Sequence, residues 1–160
     1  MFDQFNGMPV HVLLVHAAVV FVPLLAVAAV VFALVPRLRS RVGWVAALLA
    51  VGAPVAALFA KLSGEEFRDR LAASGMPATA LEPINTHATY GDRTFIATLV
   101  LGIATGAMVY LASRATKGRP LPRAADLGLA AVVVVLAGVA GFLVFMTGDT
   151  GATAVWGNAG

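Results

Sequence analysis

Long apolar runs separated by short polar stretches dominate the chain. No formally charged residue lies between Asp3 and Arg37, and this run is far longer than the roughly 20 apolar residues that a helix needs to cross a bilayer. Three further runs follow it. The pattern predicts four transmembrane spans, at residues 9–35, 42–62, 94–113 and 127–146.

The polar stretches set the expected ends of these spans. The basic residues after the first span predict a short loop, whereas the i,i+4 charge pairs Lys61/Glu65 and Glu66/Arg70 indicate that the second helix continues beyond its apolar part. Residues 72–82 contain Gly75 and Pro77 and are predicted to form a loop. The third helix is expected to begin between Asn85 and residue 94, and residues 147–160 are predicted to form a tail after the fourth span.

Four spans with short connections predict an all-α fold, an antiparallel four-helix bundle forming a single membrane domain over residues 1–160. The two pairs of spans share no clear sequence repeat. The composition agrees with a membrane protein, since the chain is 60% hydrophobic, only 12% charged, and has a mean hydropathy of +0.90; soluble domains are about 25% charged. The expected surroundings are the lipid bilayer of the cell's inner (plasma) membrane.

Charge and cysteine content exclude several classes of function. The net charge is +3, but the basic residues lie in short loops, where they act as topology signals, so we predict no nucleic-acid partner. The chain has no cysteine, which excludes disulfides, thiolate metal sites, cysteine-bound iron–sulfur clusters and covalently attached c-type haem. No hydrolase motif, phosphate-binding loop or catalytic residue is evident in the sequence.

The distribution of Lys and Arg predicts the orientation. The connections after the first and third spans hold seven basic residues and one acid, Asp126, whereas the middle connection holds four basic residues and five acids. The positive-inside rule therefore places both termini and the middle connection on the extracytoplasmic side. The seven basic residues are Arg37, Arg39, Arg41, Arg114, Lys117, Arg119 and Arg123.

This topology brings most of the candidate functional side chains to one end of the bundle, where cofactors are often held. His11 and His16 lie five residues apart, so on a helix they point about 140° apart and do not form an i,i+4 metal clamp. We therefore expect His16 and His87 to be the ligands of haem b or of a transition metal, with His11 as an alternate ligand. The expected surrounding residues are Lys61, Glu65, Asp92 and Asp149.

Simpler roles remain open for the same residues. His11 could lie at the membrane interface, His16 could make a structural hydrogen bond, and His87 could be an ordinary loop residue. Lys61 could extend to the lipid headgroups, or pair with Glu65 or Asp149.

The chain resembles the DUF2231 family of bacterial membrane proteins over nearly its whole length. The resemblance rests on four short segments at the ends of the spans: Gly7-Met8-Pro9-Val10-His11 with Val15-His16, Ala60-Lys61-Leu62-Ser63-Gly64-Glu65, His87-Ala88 with Gly91-Asp92-Arg93, and Thr147-Gly148-Asp149-Thr150-Gly151-Ala152 with Val155-Trp156.

The resemblance implies a four-helix membrane protein without a settled activity. Some related domains are fused to Rieske or cytochrome-type electron carriers, which implies redox work at the outer face. Many relatives carry a histidine in the tail motif where this chain has Asp149, so a four-histidine site is in doubt here, although a carboxylate can still accept a hydrogen bond from an imidazole.

Three hypotheses for function follow. The first is electron transfer by a haem or metal site at the outer end, with an electron carrier or a membrane complex as partner. The second is a non-enzymatic structural or assembly subunit of a membrane complex, whose polar cluster is only a network of ion pairs and hydrogen bonds. The third is a small transporter, ranked last because the inner half of the bundle offers no ionisable residue to continue a path. The sequence leaves the oligomeric state open.

Overall fold

A computed structural model describes residues 4–5, 8–115, 118 and 121–157. Gly7, Lys117 and Arg119, which contributed to the predictions above, lie outside these residues. A short antiparallel hairpin of β1 (Gln4–Phe5) and β2 (Met8–Pro9) precedes four α-helices. The helices are α1 (Val10–Leu34), α2 (Arg39–Ala73), α3 (Ala78–Ala115) and α4 (Arg123–Trp156), and a 3₁₀ turn (Pro36–Leu38) joins α1 to α2.

The prediction of an all-α fold with four spans is confirmed, because all four helices are long and apolar enough to cross a membrane. In a helix the backbone N–H and C=O groups bond to one another, and this is needed in lipid because lipid offers them no hydrogen-bond partners. The helices α2, α3 and α4 have 35, 38 and 34 residues, well above the number that a bilayer requires. Their extra turns carry polar residues beyond the apolar segments.

The connection predicted at residues 72–82 is present but shorter than predicted, since α2 ends at Ala73 and α3 already begins at Ala78. Gly75, at φ +85°, closes α2. Its N–H donates to the carbonyl of Ala72, and the N–H of Met76 donates to that of Leu71, which is the Schellman pattern of a helix end. The connection therefore needs only four residues, and Pro83 lies within the early turns of α3 rather than in a loop.

Two further boundaries differ from expectation. The loop predicted around Arg37, Arg39 and Arg41 is a 3₁₀ turn followed at once by α2. The tail predicted from Thr147 is helical as far as Trp156. Gly148 and Gly151 both lie inside the helix; a Cβ at Gly151 would crowd the ring of His87, whereas Gly148 has open space beside it.

The four helices form a ring in which α1 and α3 each contact both α2 and α4. The pairs α1/α3 and α2/α4 are therefore diagonal to each other. We call the end that holds His11 and His87 the histidine end, and the opposite end, which holds Arg39, the arginine end. Consecutive helices run in opposite directions, so the starts of α1 and α3 and the ends of α2 and α4 all lie at the histidine end.

Alanines make up most of the buried interior, beside a few larger side chains such as Leu25, Phe32 and Leu101, and many large apolar residues face outward. Among the large outward-facing residues are Val27, Leu48, Ile103, Phe142 and Phe145, each more than 60% exposed. Where α2 and α3 meet, a Cβ at Gly102 would lie only 2.4 Å from the carbonyl oxygen of Ala50. Interior packing by small residues is typical of helices that associate in lipid, because it lets their backbones approach closely. The buried alanines are Ala18, Ala29, Ala33, Ala46, Ala50, Ala53, Ala57, Ala97, Ala130, Ala137 and Ala140.

Candidate functional site

Two histidines meet across the diagonal of the bundle at the histidine end. The ring centroids of His11, in the first turn of α1, and His87, in the third turn of α3, lie 6.3 Å apart, with 74° between the ring planes. Both rings are only partly exposed. The contact joins the diagonal pair of helices near the axis of the bundle.

The ring of His11 is fixed by α2. Its Nδ1 lies 3.1 Å from the carbonyl oxygen of Ala60 and 3.1 Å from Oγ of Ser63. Because a carbonyl oxygen only accepts, Nδ1 carries the hydrogen and donates it. The Ser63 hydroxyl, which is buried, donates to the same carbonyl. Phe67, also on α2, stacks on the His11 ring, with 6.3 Å between the ring centroids and 14° between the ring planes.

The ring of His87 is fixed by α4 in the same way. Its Nδ1 donates to the carbonyl oxygen of Thr147, 3.0 Å away. The hydroxyl of Thr147 donates to the carbonyl of Leu143 and accepts a 2.7 Å hydrogen bond from the buried Thr94 hydroxyl. Thr94 belongs to α3, so this second bond ties α3 to α4 one to two turns below the histidine.

The pairs α1/α2 and α3/α4 thus repeat one local arrangement. In each, the carbonyl that accepts from histidine is followed three residues later by a hydroxyl residue and four residues later by a glycine. A Cβ at Gly64 would lie 2.9 Å from Cε1 of His11, and a Cβ at Gly151 would lie 3.0 Å from Cε1 of His87. Glycine leaves the space that each ring occupies. The correspondence covers only a few residues per helix, which is why no repeat is visible in the sequence.

In both imidazoles it is therefore Nε2 that carries no hydrogen. With Nδ1 engaged by a backbone carbonyl, the neutral ring has its lone pair on Nε2. A histidine that donates through one nitrogen and offers the other is the usual arrangement of a metal-ligating imidazole. Within the described residues, however, no group of three or more His, Asp or Glu side chains could hold a metal ion.

His16 lies elsewhere. Its side chain is exposed, and its Nδ1 bonds to the carbonyl of Val12 in its own helix at 2.5 Å. The structure therefore pairs His87 with His11, the alternate ligand of the sequence analysis, rather than with His16. The helical geometry already indicated that His11 and His16 face different neighbours, but the sequence does not reveal which of them faces α3.

Lys61 connects α2 and α3 beside the histidines. Its ammonium pairs with the carboxylate of Glu65 one turn along α2, and with Oδ1 of Asp92 at 2.9 Å. The Glu66/Arg70 pair is also present, so both i,i+4 pairs predicted from the sequence are confirmed. The alternative partner considered for Lys61, Asp149, instead lies on an exposed face of α4.

An ion pair that the sequence analysis did not predict closes the arginine end. The guanidinium of Arg39 donates to both carboxylate oxygens of Asp126, at 3.1 and 3.2 Å, and joins the diagonal pair α2/α4. The same guanidinium donates to the carbonyls of Phe32 and Ala33 at the end of α1. The one available signal was that Asp126 is the single acid among the basic residues of these connections.

Comparison with known proteins identifies the family of the chain. A family model described as "Predicted membrane protein (DUF2231)" matches residues 7–159. No curated protein and no solved structure matches the chain.

Proposed function

The chain belongs to the DUF2231 family of predicted membrane proteins, and on that premise we propose that its histidine end is a two-imidazole cofactor site serving electron transfer. His11 and His87 are the proposed ligands, through Nε2, of haem b or of a single transition-metal ion. The protein is a multi-pass membrane protein. The proposal also places the protein in the plasma (inner) membrane, with the histidine end on the extracytoplasmic side. It includes an electron carrier or a membrane complex as the partner.

The separation of the two rings carries this proposal. Two imidazoles on opposite sides of one ion, each bound through nitrogen at about 2.0–2.1 Å, have ring centroids roughly 6 Å apart. The observed separation of the His11 and His87 centroids is 6.3 Å. The observed separation leaves room for one ion between the two rings, which His11 and His87 would hold through Nε2.

The protein ligands available at the histidine end limit which cofactor or metal ion could bind there. Haem b brings ring nitrogens of its own to its iron, so His11 and His87 would be sufficient protein ligands to hold it. A bare ion would need water for its remaining positions, because the described residues provide no third protein ligand next to the histidines. The carboxylates of Glu65 and Asp92 are engaged by Lys61, which makes them supporting groups rather than ligands in this proposal.

The protein's own contribution is to orient the two rings. The carbonyls of Ala60 and Thr147 hold each Nδ1–H, and this fixes both the tautomer and the direction of Nε2. When bound, the cofactor would supply the one-electron chemistry. Below the site, the buried core residues pack the four helices against one another.

The experiment is a visible absorption spectrum of the detergent-purified protein, oxidised and then reduced, with metal analysis of the same sample. The sample is measured as isolated and again after reconstitution with hemin or with copper or iron. A Soret band with sharpened reduced bands, or one metal ion per chain, is the expected result. A protein that stays colourless and metal-free after reconstitution would refute the proposal.

One observation favours the alternative, a non-enzymatic structural or assembly subunit. The polar groups of the histidine end already have protein partners: both Nδ1 atoms bond to carbonyls, and Lys61 pairs with two carboxylates. Such a network can stabilise a bundle without any ligand. On this alternative, loss of His11 lowers the folded yield and leaves no spectral difference.

A further inference from the structure

A groove runs between α1 and α4, the two neighbouring helices that no loop joins. Its volume is about 550 Å³, within the range of small-molecule sites. Added Cβ atoms at Gly141 and Gly148 would meet no other atom within 4 Å, so these glycines leave the groove open. Six of the residues that line it are Val19, Pro23, Gly141, Phe145, Gly148 and Asp149.

The groove is apolar along its length and acidic at one end. From Gly141 to Asp149 it follows α4 for eight residues, about 12 Å at 1.5 Å per residue. Asp149 is the one charged residue of its lining, and none of the described lining residues is basic. Across the described residues, the Asp149 carboxylate forms no ion pair within the protein.

Two other features of the lining also suit a cation. Pro23 has no N–H, so it adds no backbone hydrogen-bond donor to the lining. Phe145 is 68% exposed beside the groove, and the face of an aromatic ring attracts cations. The polar and aromatic groups of the groove therefore all favour positive charge, while the rest of its surface favours a hydrocarbon body.

We propose that this groove binds a lipophilic organic cation. The apolar body lies along the groove between α1 and α4, and the positive charge lies against Asp149 and the ring of Phe145. Such a ligand partitions into the bilayer and reaches the groove from its lipid-facing side. The site is separate from the histidine pair, and the proposal stands whether or not a cofactor is bound there.

The probe is tetraphenylphosphonium, with tetraphenylborate as a probe of matched shape and opposite charge. Binding is measured by equilibrium dialysis against the full-length protein in a non-ionic detergent, with protein-free micelles subtracted. We expect saturable binding of the cation at one site per chain and none of the anion. Asp149→Asn should weaken cation binding by about tenfold or more, because it removes the one charge of the lining.

Two controls separate the site from general electrostatics. Asp69→Asn removes the same charge from an exposed position on α2 and should leave the affinity unchanged. Glu82→Gln neutralises an acid in an adjoining groove of about 440 Å³ that also includes Asp149, and it should change the affinity by less than about threefold.

A third variant blocks the groove without touching its charge. Gly148→Leu fills open space and should abolish binding, whereas Gly138→Leu, also in open space on α4 but outside the groove, should not. Thermal unfolding of each variant confirms that it is folded. The proposal is overturned by equal binding of both probes, by no binding of the cation, or by an affinity that Asp149→Asn and Gly148→Leu leave unchanged.

Discussion

The close fit of each histidine ring against a glycine gives the most specific prediction. In Gly64→Ala the new Cβ would lie 2.9 Å from Cε1 of His11, and in Gly151→Ala it would lie 3.0 Å from Cε1 of His87. Carbon atoms in ordinary contact are about 3.5–4.0 Å apart. Each ring must therefore move by several tenths of an ångström, away from the carbonyl that accepts its Nδ1–H.

The magnitude follows from two opposing effects. Forcing extra volume into a packed site costs about 1–3 kcal/mol, while replacing glycine by alanine inside a helix stabilises by about 1 kcal/mol. The net loss expected for each variant is therefore about 0–2 kcal/mol. Gly52→Ala on α2 and Gly138→Ala on α4 gain the helical preference without a clash, since nothing lies within 4 Å of either added Cβ.

The assay is the free energy of unfolding in mixed micelles with a rising fraction of SDS. Gly64→Ala should be about 1–3 kcal/mol less stable than its control Gly52→Ala, and Gly151→Ala should differ from Gly138→Ala by a similar amount. If a cofactor is bound, the two histidine-side variants should also alter its spectrum. Equal stability of each variant and its control would refute the packing of the rings on the glycines.

Three further predictions concern two ion pairs and the orientation of the bundle in the membrane. In a double-mutant cycle, Arg39→Ala and Asp126→Ala should be coupled by about 1–3 kcal/mol in the same unfolding assay, because the pair is bidentate and its side chains are only 19% and 33% exposed; additive effects would contradict this. The Lys61–Asp92 pair should be coupled by less than about 1 kcal/mol and weaken in high salt, because the Asp92 side chain is 50% exposed; strong, salt-independent coupling would show that it is a buried clamp. A cysteine at Ser74 should react with membrane-impermeant reagents in intact cells, and one at Arg41 should not; the reverse pattern would overturn the proposed orientation.

The sequence predicted the fold class because lipid imposes a simple rule on apolar runs. It was less accurate at the histidine end, where it predicted a loop over residues 72–82 and a tail from Thr147. Gly75 does end a helix there. Pro77 lies in the turn before α3, and Gly151 lies inside α4, where it accommodates the ring of His87. A glycine can be required either by a turn or by a close neighbour. Which of the two applies depends on contacts that a single sequence does not contain.

The pairing within the site shows the same limit. Helical periodicity established that His11 and His16 face different directions, but the rotation of α1 against α2 and α3 decides which of them meets His87. That rotation is set by the small buried residues along the helix interfaces. The Arg39–Asp126 pair was likewise not predicted, because it joins diagonal helices 87 positions apart in the sequence.

The most direct test of the central claim compares two single variants, His11→Gln and His16→Gln, reconstituted side by side with hemin and with metal ions. Each removes one imidazole from α1, and only His11 lies against His87. The two-imidazole site predicts that His11→Gln loses the bound cofactor and that His16→Gln retains the wild-type spectrum and stoichiometry. Retention by His11→Gln together with loss by His16→Gln would contradict the site described for this bundle.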